Sequence, residues 1–565
     1  MTTTTAPADL DALVSAHSDL LEQAQRTTLT REFWSAFPES PSPRVYGEEA
    51  APAGEAAFRG HLGTTFDLGQ PDDGTRVGSE SSPFGLGLDL RYTYSPADGL
   101  IDAAQAARAT WRTATPHQRA AVCAEMLTRI NARSFEMAHA VMHTSGQAFV
   151  MAFQAGGANA QDRGLEAVAY ALGEQTRHAS PVMWEKPQGK RPPLRMTKEF
   201  TPRGRGVGVV ICCNTFPTWN AYPGIFASLA TGNPVIVKPH PRAVLPLAIT
   251  VSVAREVLAE YGFDPNTVLL AAEDDGGRLG AELALDPAVG IVDFTGSTAF
   301  GEWLERNARQ ALVFTEKAGV NSVIFESTDA YRPALDNLAF TLSLYSGQMC
   351  TTTQNIYVPA DGVETDEGHK TRQDIATDLG AAMDKLLGDD ERAAALLGGI
   401  VSDDVAKRLN AAAASPDVAV SNRPVQTADW PDARIYTPVV LLATTSTDHT
   451  YTQECFGPVS FLVETKSRDE AVEVMRELTM EQGALTAGVY STDEAYLEQV
   501  RDAALDAGVA LSENLTGGVF VNQTAAFSDF HATGANPAAN ATYTDPHFIG
   551  GRFRLIETRR QTPDA

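Results

Sequence analysis

The sequence has little cysteine and little positive charge. Its five cysteines, Cys123, Cys212, Cys213, Cys350 and Cys455, are spread over 565 residues without a C-x-x-C spacing. That argues against a disulfide framework and a cysteine zinc site, and fits a reducing compartment such as the cytoplasm. The 11 histidines are read as giving no metal site. Lys and Arg number 44 against 71 Asp and Glu, a net charge of −27, which argues against nucleic-acid binding and against docking on an anionic membrane. No apolar run is long enough to span a bilayer. The opening Met1-Thr2-Thr3-Thr4-Thr5-Ala6-Pro7 has no basic stretch leading into an apolar one, so no secretory signal is expected. There is no internal repeat and no low-complexity tract. A G-x-G-x-x-G turn opening a helix is also missing, because Gly204-Arg205-Gly206-Val207-Gly208 precedes a strand instead.

What is present is an ordinary globular composition, 43% apolar and 20% charged, with room for two to four domains. Residues 8–36 read as helical, with Leu10, Leu13, Leu20 and Leu21 on one face. From Phe37 to Ser82 the chain is rich in Pro, Gly and Ser and reads as an irregular wrapping segment or linker. Helical pattern resumes from residue 95 to about 156, with breaks at Pro116 and Ser145-Gly146. In residues 191–206, Leu194, Met196, Lys198 and Phe200 alternate with Arg195, Thr197 and Glu199, the period of a strand. From Val207 onward short apolar strands alternate with helices, first over 207–294 and again from Ser322 to Leu511. This predicts an α/β fold with parallel sheets covered on both faces, and a cofactor at the strands' carboxyl ends.

The chemistry centres on Gly347-Gln348-Met349-Cys350. A helical pattern enters this loop, and the strand Asn355-Ile356-Tyr357-Val358 leaves it. A loop cysteine between two elements is placed for reaction. Thr315-Glu316-Lys317-Ala318-Gly319 precedes it, with Glu316 34 positions before Cys350.

The two segments together resemble the aldehyde dehydrogenase family, in which a G-Q-x-C loop carries a nucleophile and an E-L-G-G-like segment a base. Three more segments in the expected order are similar to that family: Gly232-Asn233-Pro234 through Lys238-Pro239, Thr295-Gly296-Ser297 through Gly301, and Glu454-Cys455-Phe456-Gly457-Pro458-Val459. The likeness runs from about residue 95 to 530. It implies a Rossmann-like cofactor domain at 96–315 with residues 517–530 returning to it, and a catalytic domain at 316–516. It also implies oligomerisation segments at 185–206 and 531–565, and leaves residues 1–95 as an extension without assigned chemistry. A homodimer or dimer of dimers is expected.

The resemblance further implies that Cys350 attacks an aldehyde, that Asn214 and the Cys350 backbone N–H stabilise the oxyanion, and that Glu316 activates water against the thioester. Asn214 sits in Asn214-Thr215-Phe216-Pro217, one residue longer than the family's N-F-P. Lys238, Thr295, Gly296, Ser297, Glu454 and Phe456 would bind the dinucleotide. NAD-preferring members carry a glutamate three residues after the lysine, where this chain has Pro241, followed by Arg242. That implies NADP, with NAD as the lesser cofactor. Cys212-Cys213-Asn214 through Asn220, Lys238-Pro239-His240-Pro241 and the tail from Asn522 to Phe553 are most similar to the phenylacetate-degrading (PaaN-type) branch. That branch implies a CoA-linked semialdehyde as substrate and a separate enoyl-CoA hydratase as pathway partner. Competing readings are a CoA-acylating dehydrogenase, which would lack the base, and an inactive scaffold.

Overall fold

The computed structural model describes residues 8–317, 319–446, 450–522 and 525–562. The first seven and last three residues of the chain lie outside it, as do residues 523 and 524 of the returning segment and Ala318 beside the expected base.

A five-stranded sheet runs in the order Leu312–Glu316, Val289–Thr295, Val207–Ile211, Val235–Lys238, Val268–Leu270. All its pairs are parallel. The run of β-branched residues suits strands covered on both faces. Val209 and Ile211 pack with Leu100 and Leu279 on one side, while Val210 packs with Ile225 and Leu229 on the other. The covering helices are Ala97–Trp111 and Leu279–Leu285, and Ala221–Ala230 and Leu245–Glu260. Thr115 and Gln118 close a capping box at the start of the helix Pro116–Ala132, and Gly146, at φ 78°, ends the helix Ser134–Ser145.

From Glu316 the chain crosses directly into a seven-stranded sheet. Its order is Val418–Val420, Val439–Thr444, Val459–Thr465, Asn355–Pro359, Ser322–Phe325, Thr486–Tyr490, Ala510–Glu513. Only the edge pair of Val418–Val420 with Val439–Thr444 is antiparallel. The crossing brings Glu316, at the end of an edge strand, near the loop that feeds a central strand at Asn355.

A third, antiparallel sheet joins Val182–Gln188, Arg191–Gly204 and Phe553–Gln561. The alternating strand is therefore present, and it pairs with the tail of the same chain, which was not foreseen. Met183, Leu194 and Ile556 stay exposed on it. Arg552 anchors its base: wholly buried, it forks onto Asp293 at 2.5 and 2.9 Å, donates to Ser228 Oγ at 2.8 Å and stacks on Phe548.

Three expectations need correction. The stretch 37–82 is not irregular, since it contains the helix Ala50–His61. Pro52 is tolerated in that helix's first turn, and Gly54 is required there because a Cβ would meet Phe135 Cβ at 2.3 Å. Residues 8–95 are also built into the body of the fold rather than appended to it. Leu13, Leu21, Phe58 and Tyr92 share the main core, and Gln70 bonds both the N–H and the C=O of Leu270. Finally, residues 517–522, which read as the strand returning to the cofactor domain, form no strand. Asn337 binds the carbonyls of Gly517 and Val519, and Phe520 stacks on Phe340 at 4.0 Å. Only the later part of that segment reaches the helical layer, where Phe527 meets Trp34 and Asp529 O accepts from Arg163.

Candidate active site

Cys350 stands on a loop held in an unusual shape. Tyr345 and Ser346 both have left-handed backbones, at φ 52° and 51°, a conformation that costs of order 1–3 kcal/mol per residue unless its surroundings enforce it. Here they do. Tyr345 donates to Ser145 O, Ser346 to Leu397 O, and Gln348 bridges Gly399 O and Val401 N. Gly347 follows at φ 62°, where a Cβ would lie 2.5 Å from Gly457 O. The Cys350 loop is thus pressed on the Glu454–Pro458 loop. Asn321 completes the clamp: its amide donates to Cys350 O at 2.8 Å and Thr352 O at 3.0 Å, and its oxygen accepts from Leu485 N and Thr486 N. Neither Asn321 nor a role for Gln348 stands out in the sequence. Asn321 shows only as a polar residue before an apolar strand, which is common to many loops, and Gln348 only as part of the Gly347–Cys350 segment.

Glu316 lies beside Cys350 and is almost fully buried. Lys317 does not pair with it but bonds Glu305 at 3.0 Å. The partners of Glu316 are His531, with Nε2 at 3.1 Å from Oε2, and Asn220, with Nδ2 at 3.3 Å from the same oxygen. His531 Nε2 is also 3.8 Å from Cys350 Sγ. Burial pushes the Glu316 carboxyl up, but its contact with His531, with lesser effects from Cys350 and Arg163, holds it below the usual range. Burial and the adjacent carboxylate push the Cys350 thiol well up, so the thiol keeps its proton until a neighbour takes it. Burial likewise raises Cys213, to about 11. Asn220 and His531 were missed by sequence because nothing local marks them. His531 was assigned only to an oligomerisation tail.

Two cavities meet at Cys350. The larger, of about 710 Å³, runs along the carboxyl ends of the parallel strands and is lined by Asn214, Lys238, Pro241, Arg242, Thr295, Gly296, Ser297, Glu454 and Phe456. Every residue expected at the cofactor site therefore lies on one cavity. Lys238 Nζ is held by Glu273 at 2.6 Å and Arg242 Nε by Asp275 at 2.9 Å. Ser297 precedes the helix Thr298–Asn307, which starts without a side-chain cap. The Thr295 hydroxyl bonds Tyr543 OH. Burial raises Glu454 to about 7. Asn214 donates to Thr144 O at 2.9 Å, so one of its two amide hydrogens is already used.

The smaller cavity, about 450 Å³, approaches Cys350 from the other side. Trp219, Phe340, Met349, Leu396 and Phe520 are among its walls. One edge is a π-helical turn, Gln154–Ala158, an irregularity often found at functional sites. All five cysteines are free. His139 and His143 do stand four apart on one helix, a spacing passed over above. Both rings stack on Phe58, and His143 Nδ1 pairs with Ser82 Oγ, which makes them packing residues.

A half-buried cysteine between a carboxylate and a strand-end cavity defines a class, and comparison with known proteins agrees. Residues 91–535 match the model of the aldehyde dehydrogenase family, and the chain belongs to that family of oxidoreductases. It is similar to a solved structure named NAD-dependent aldehyde dehydrogenase from Burkholderia multivorans, at 53% identity and TM-score 0.96, covering 98% of this chain and 100% of that one. It also shares its fold with 1-pyrroline-5-carboxylate dehydrogenase from Thermus with bound NAD, at 19% identity and TM-score 0.71 over 94% and 99% of the two chains. Aldehyde dehydrogenase citD of Monascus ruber is 28% identical over 327 residues, 56% of this chain and 60% of that one. The chain spans 60–66% of the length of the curated Gibberella and Monascus relatives it matches. Among the described residues, no helix is long and apolar enough to cross a membrane.

Proposed function

We propose that the protein oxidises an aldehyde to a carboxylate with a nicotinamide dinucleotide, through a covalent intermediate on Cys350. The observation that carries this is the meeting of two cavities at Cys350, with Glu316 buried beside it. The larger cavity fits a dinucleotide: it combines strand ends, the uncapped start of the helix at Thr298 for a phosphate, and Lys238 toward a ribose. When bound, the dinucleotide supplies the hydride acceptor. Cys350 Sγ forms the bond to the aldehyde carbon. The resulting oxyanion meets the Cys350 backbone N–H and the second amide hydrogen of Asn214; one such donor is worth about 3 kcal/mol. Glu316 then takes a proton from the water that attacks the thioester, and Cys350 leaves as the thiolate.

The substrate side favours an aldehyde with a bulky apolar body. Taken with the PaaN-type segments around Asn214, it supports a CoA-linked semialdehyde from ring opening in phenylacetate degradation, supplied by a separate enoyl-CoA hydratase. NADP is the proposed cofactor, because Pro241 removes a carboxylate from the position that would repel a 2′-phosphate. Glu273 and Asp275 already share the charges of Lys238 and Arg242, so the preference is nearer about tenfold than the hundredfold of an unshared charge-assisted contact. The exposed antiparallel sheet supports a homodimer or dimer of dimers, and the free thiols support a reducing, cytoplasmic setting.

The test is turnover of an aldehyde panel, including a CoA semialdehyde, with NAD and NADP and with or without free CoA. Carboxylate formation without free CoA supports the reading. Acyl-CoA formation that requires free CoA, or no dinucleotide reduction with any aldehyde, overturns it.

A further inference from the structure

The reacting sulfur has two possible proton acceptors, one of them unforeseen. His531 comes from the tail, Glu316 from the end of an edge strand and Cys350 from the loop before a central strand. Yet their Nε2, Oε2 and Sγ atoms lie within 4.8 Å of one another. The imidazole is nearly fully buried and is held on two sides. The Trp219 ring meets it edge-on at 4.6 Å, and Tyr543 stacks at 5.8 Å and 23°. Tyr543 also donates its backbone N–H to His531 O at 3.0 Å. The ring is therefore fixed with Nε2 directed at both the thiol and the carboxylate, a placement that aromatic packing alone would not require.

We propose that His531 is a catalytic residue that takes the Cys350 thiol proton, with Glu316 holding the imidazolium so formed. The S–H bond breaks and an N–H bond forms at Nε2. That N–H donates to Glu316 Oε2, and the electron pair left on Sγ attacks the aldehyde carbon. The other ionisable groups near this cluster are Arg163, which adds positive charge near Glu316, Cys213, a thiol beside Cys350, and Tyr543, whose phenol burial pushes up. The close side-chain partners of Nε2 are Cys350 Sγ and Glu316 Oε2. The division of labour is geometric: Nε2 faces both Sγ and Oε2, so a proton that reaches the ring is met at once by the Glu316 carboxylate. Glu316 then remains available as the base toward water.

This inference rests on Cys350 as the nucleophile, but its test needs neither aldehyde nor dinucleotide. The rate of Cys350 alkylation by iodoacetamide is followed by mass spectrometry of its peptide in the free enzyme from pH 5.5 to 10. Wild type should show a neutral-pH shoulder, the signature of a thiolate paired with imidazolium. His531→Gln should lose the shoulder and slow by about tenfold or more at pH 7, as expected for loss of an acid–base partner; His531→Asn is the second variant if the first does not fold. A wild-type profile with a single rise above pH 8 overturns the proposal. So does a folded variant with an unchanged profile. Failure of the aldehyde assays with the shoulder intact would instead implicate the proposed substrate or cofactor.

Discussion

Asn321→Leu is the substitution from which the structure predicts most. The asparagine makes four hydrogen bonds in a buried setting, two from its amide to Cys350 O and Thr352 O and two to its oxygen from Leu485 N and Thr486 N. Leucine shares the branched four-atom side-chain skeleton but leaves all four backbone groups without that partner. Each orphaned buried group costs about 1–3 kcal/mol. Even at the lower figure the loss is about 4 kcal/mol, a drop of roughly 10 °C in melting for a unit the size of the catalytic sheet. The functional loss is separate. Cys350 O is one of the freed groups, so the sulfur's position relative to Glu316 and His531 loosens, and a misplacement of about 1 Å costs on the order of a hundredfold in rate. Scanning calorimetry and kcat/KM with a simple aldehyde read the two effects. Asn321→Asp keeps the two acceptor contacts, loses both donors, and should fall between. A variant that melts within about 2 °C of wild type and turns over within about twofold would refute the role of this clamp.

The other predictions concern the cofactor and the assembly. Burial keeps the Glu454 carboxyl protonated up to about pH 7, whereas an ordinary glutamate ionises near 4.5. Between those values burying it costs progressively more stability as pH rises, and only above about 7 is it the stronger, ionised acceptor for a ribose hydroxyl. Dinucleotide affinity by calorimetry should therefore tighten from pH 6 to 8, and this dependence should vanish in Glu454→Gln. Pro241→Glu should shift kcat/KM from NADP toward NAD by about tenfold, a loss of one charge-assisted contact to phosphate; no shift would mean that the 2′-position lies elsewhere. Leu194→Lys with Ile556→Lys places charges on the exposed antiparallel sheet and should lower the mass seen by light scattering, while an unchanged mass would place the subunit contact on another surface.

How legible these features were depended on whether the signal was local. The parallel strands were readable because runs such as Val207–Ile211 need no context to be recognised as covered on both faces. Cys350, Glu316 and the cofactor-cavity residues were readable because each sits in a short segment with a family pattern. The helix Ala50–His61 was not, since Pro52 and Gly54 look like turn residues until Phe135 is seen packed against Gly54. His531, Asn220 and Asn321 act through contacts made by segments far apart in the chain. His531 is 181 positions from Cys350, and nothing in the residues beside it distinguishes it from a tail histidine. Asn214 was readable as a type but not as a geometry, because its bond to Thr144 appears only in the folded chain.

The central claim is that an acyl group passes through Cys350 and is released by Glu316. Glu316→Gln cannot take the proton from water, so with aldehyde and dinucleotide it should give a burst of reduced cofactor equal to the enzyme concentration and then stall. Acid quenching at the end of the burst, followed by mass spectrometry, should find the acyl mass on the Cys350 peptide and on no other cysteine. Steady turnover in that variant with no acylated Cys350, or full activity in Cys350→Ala, would contradict the account.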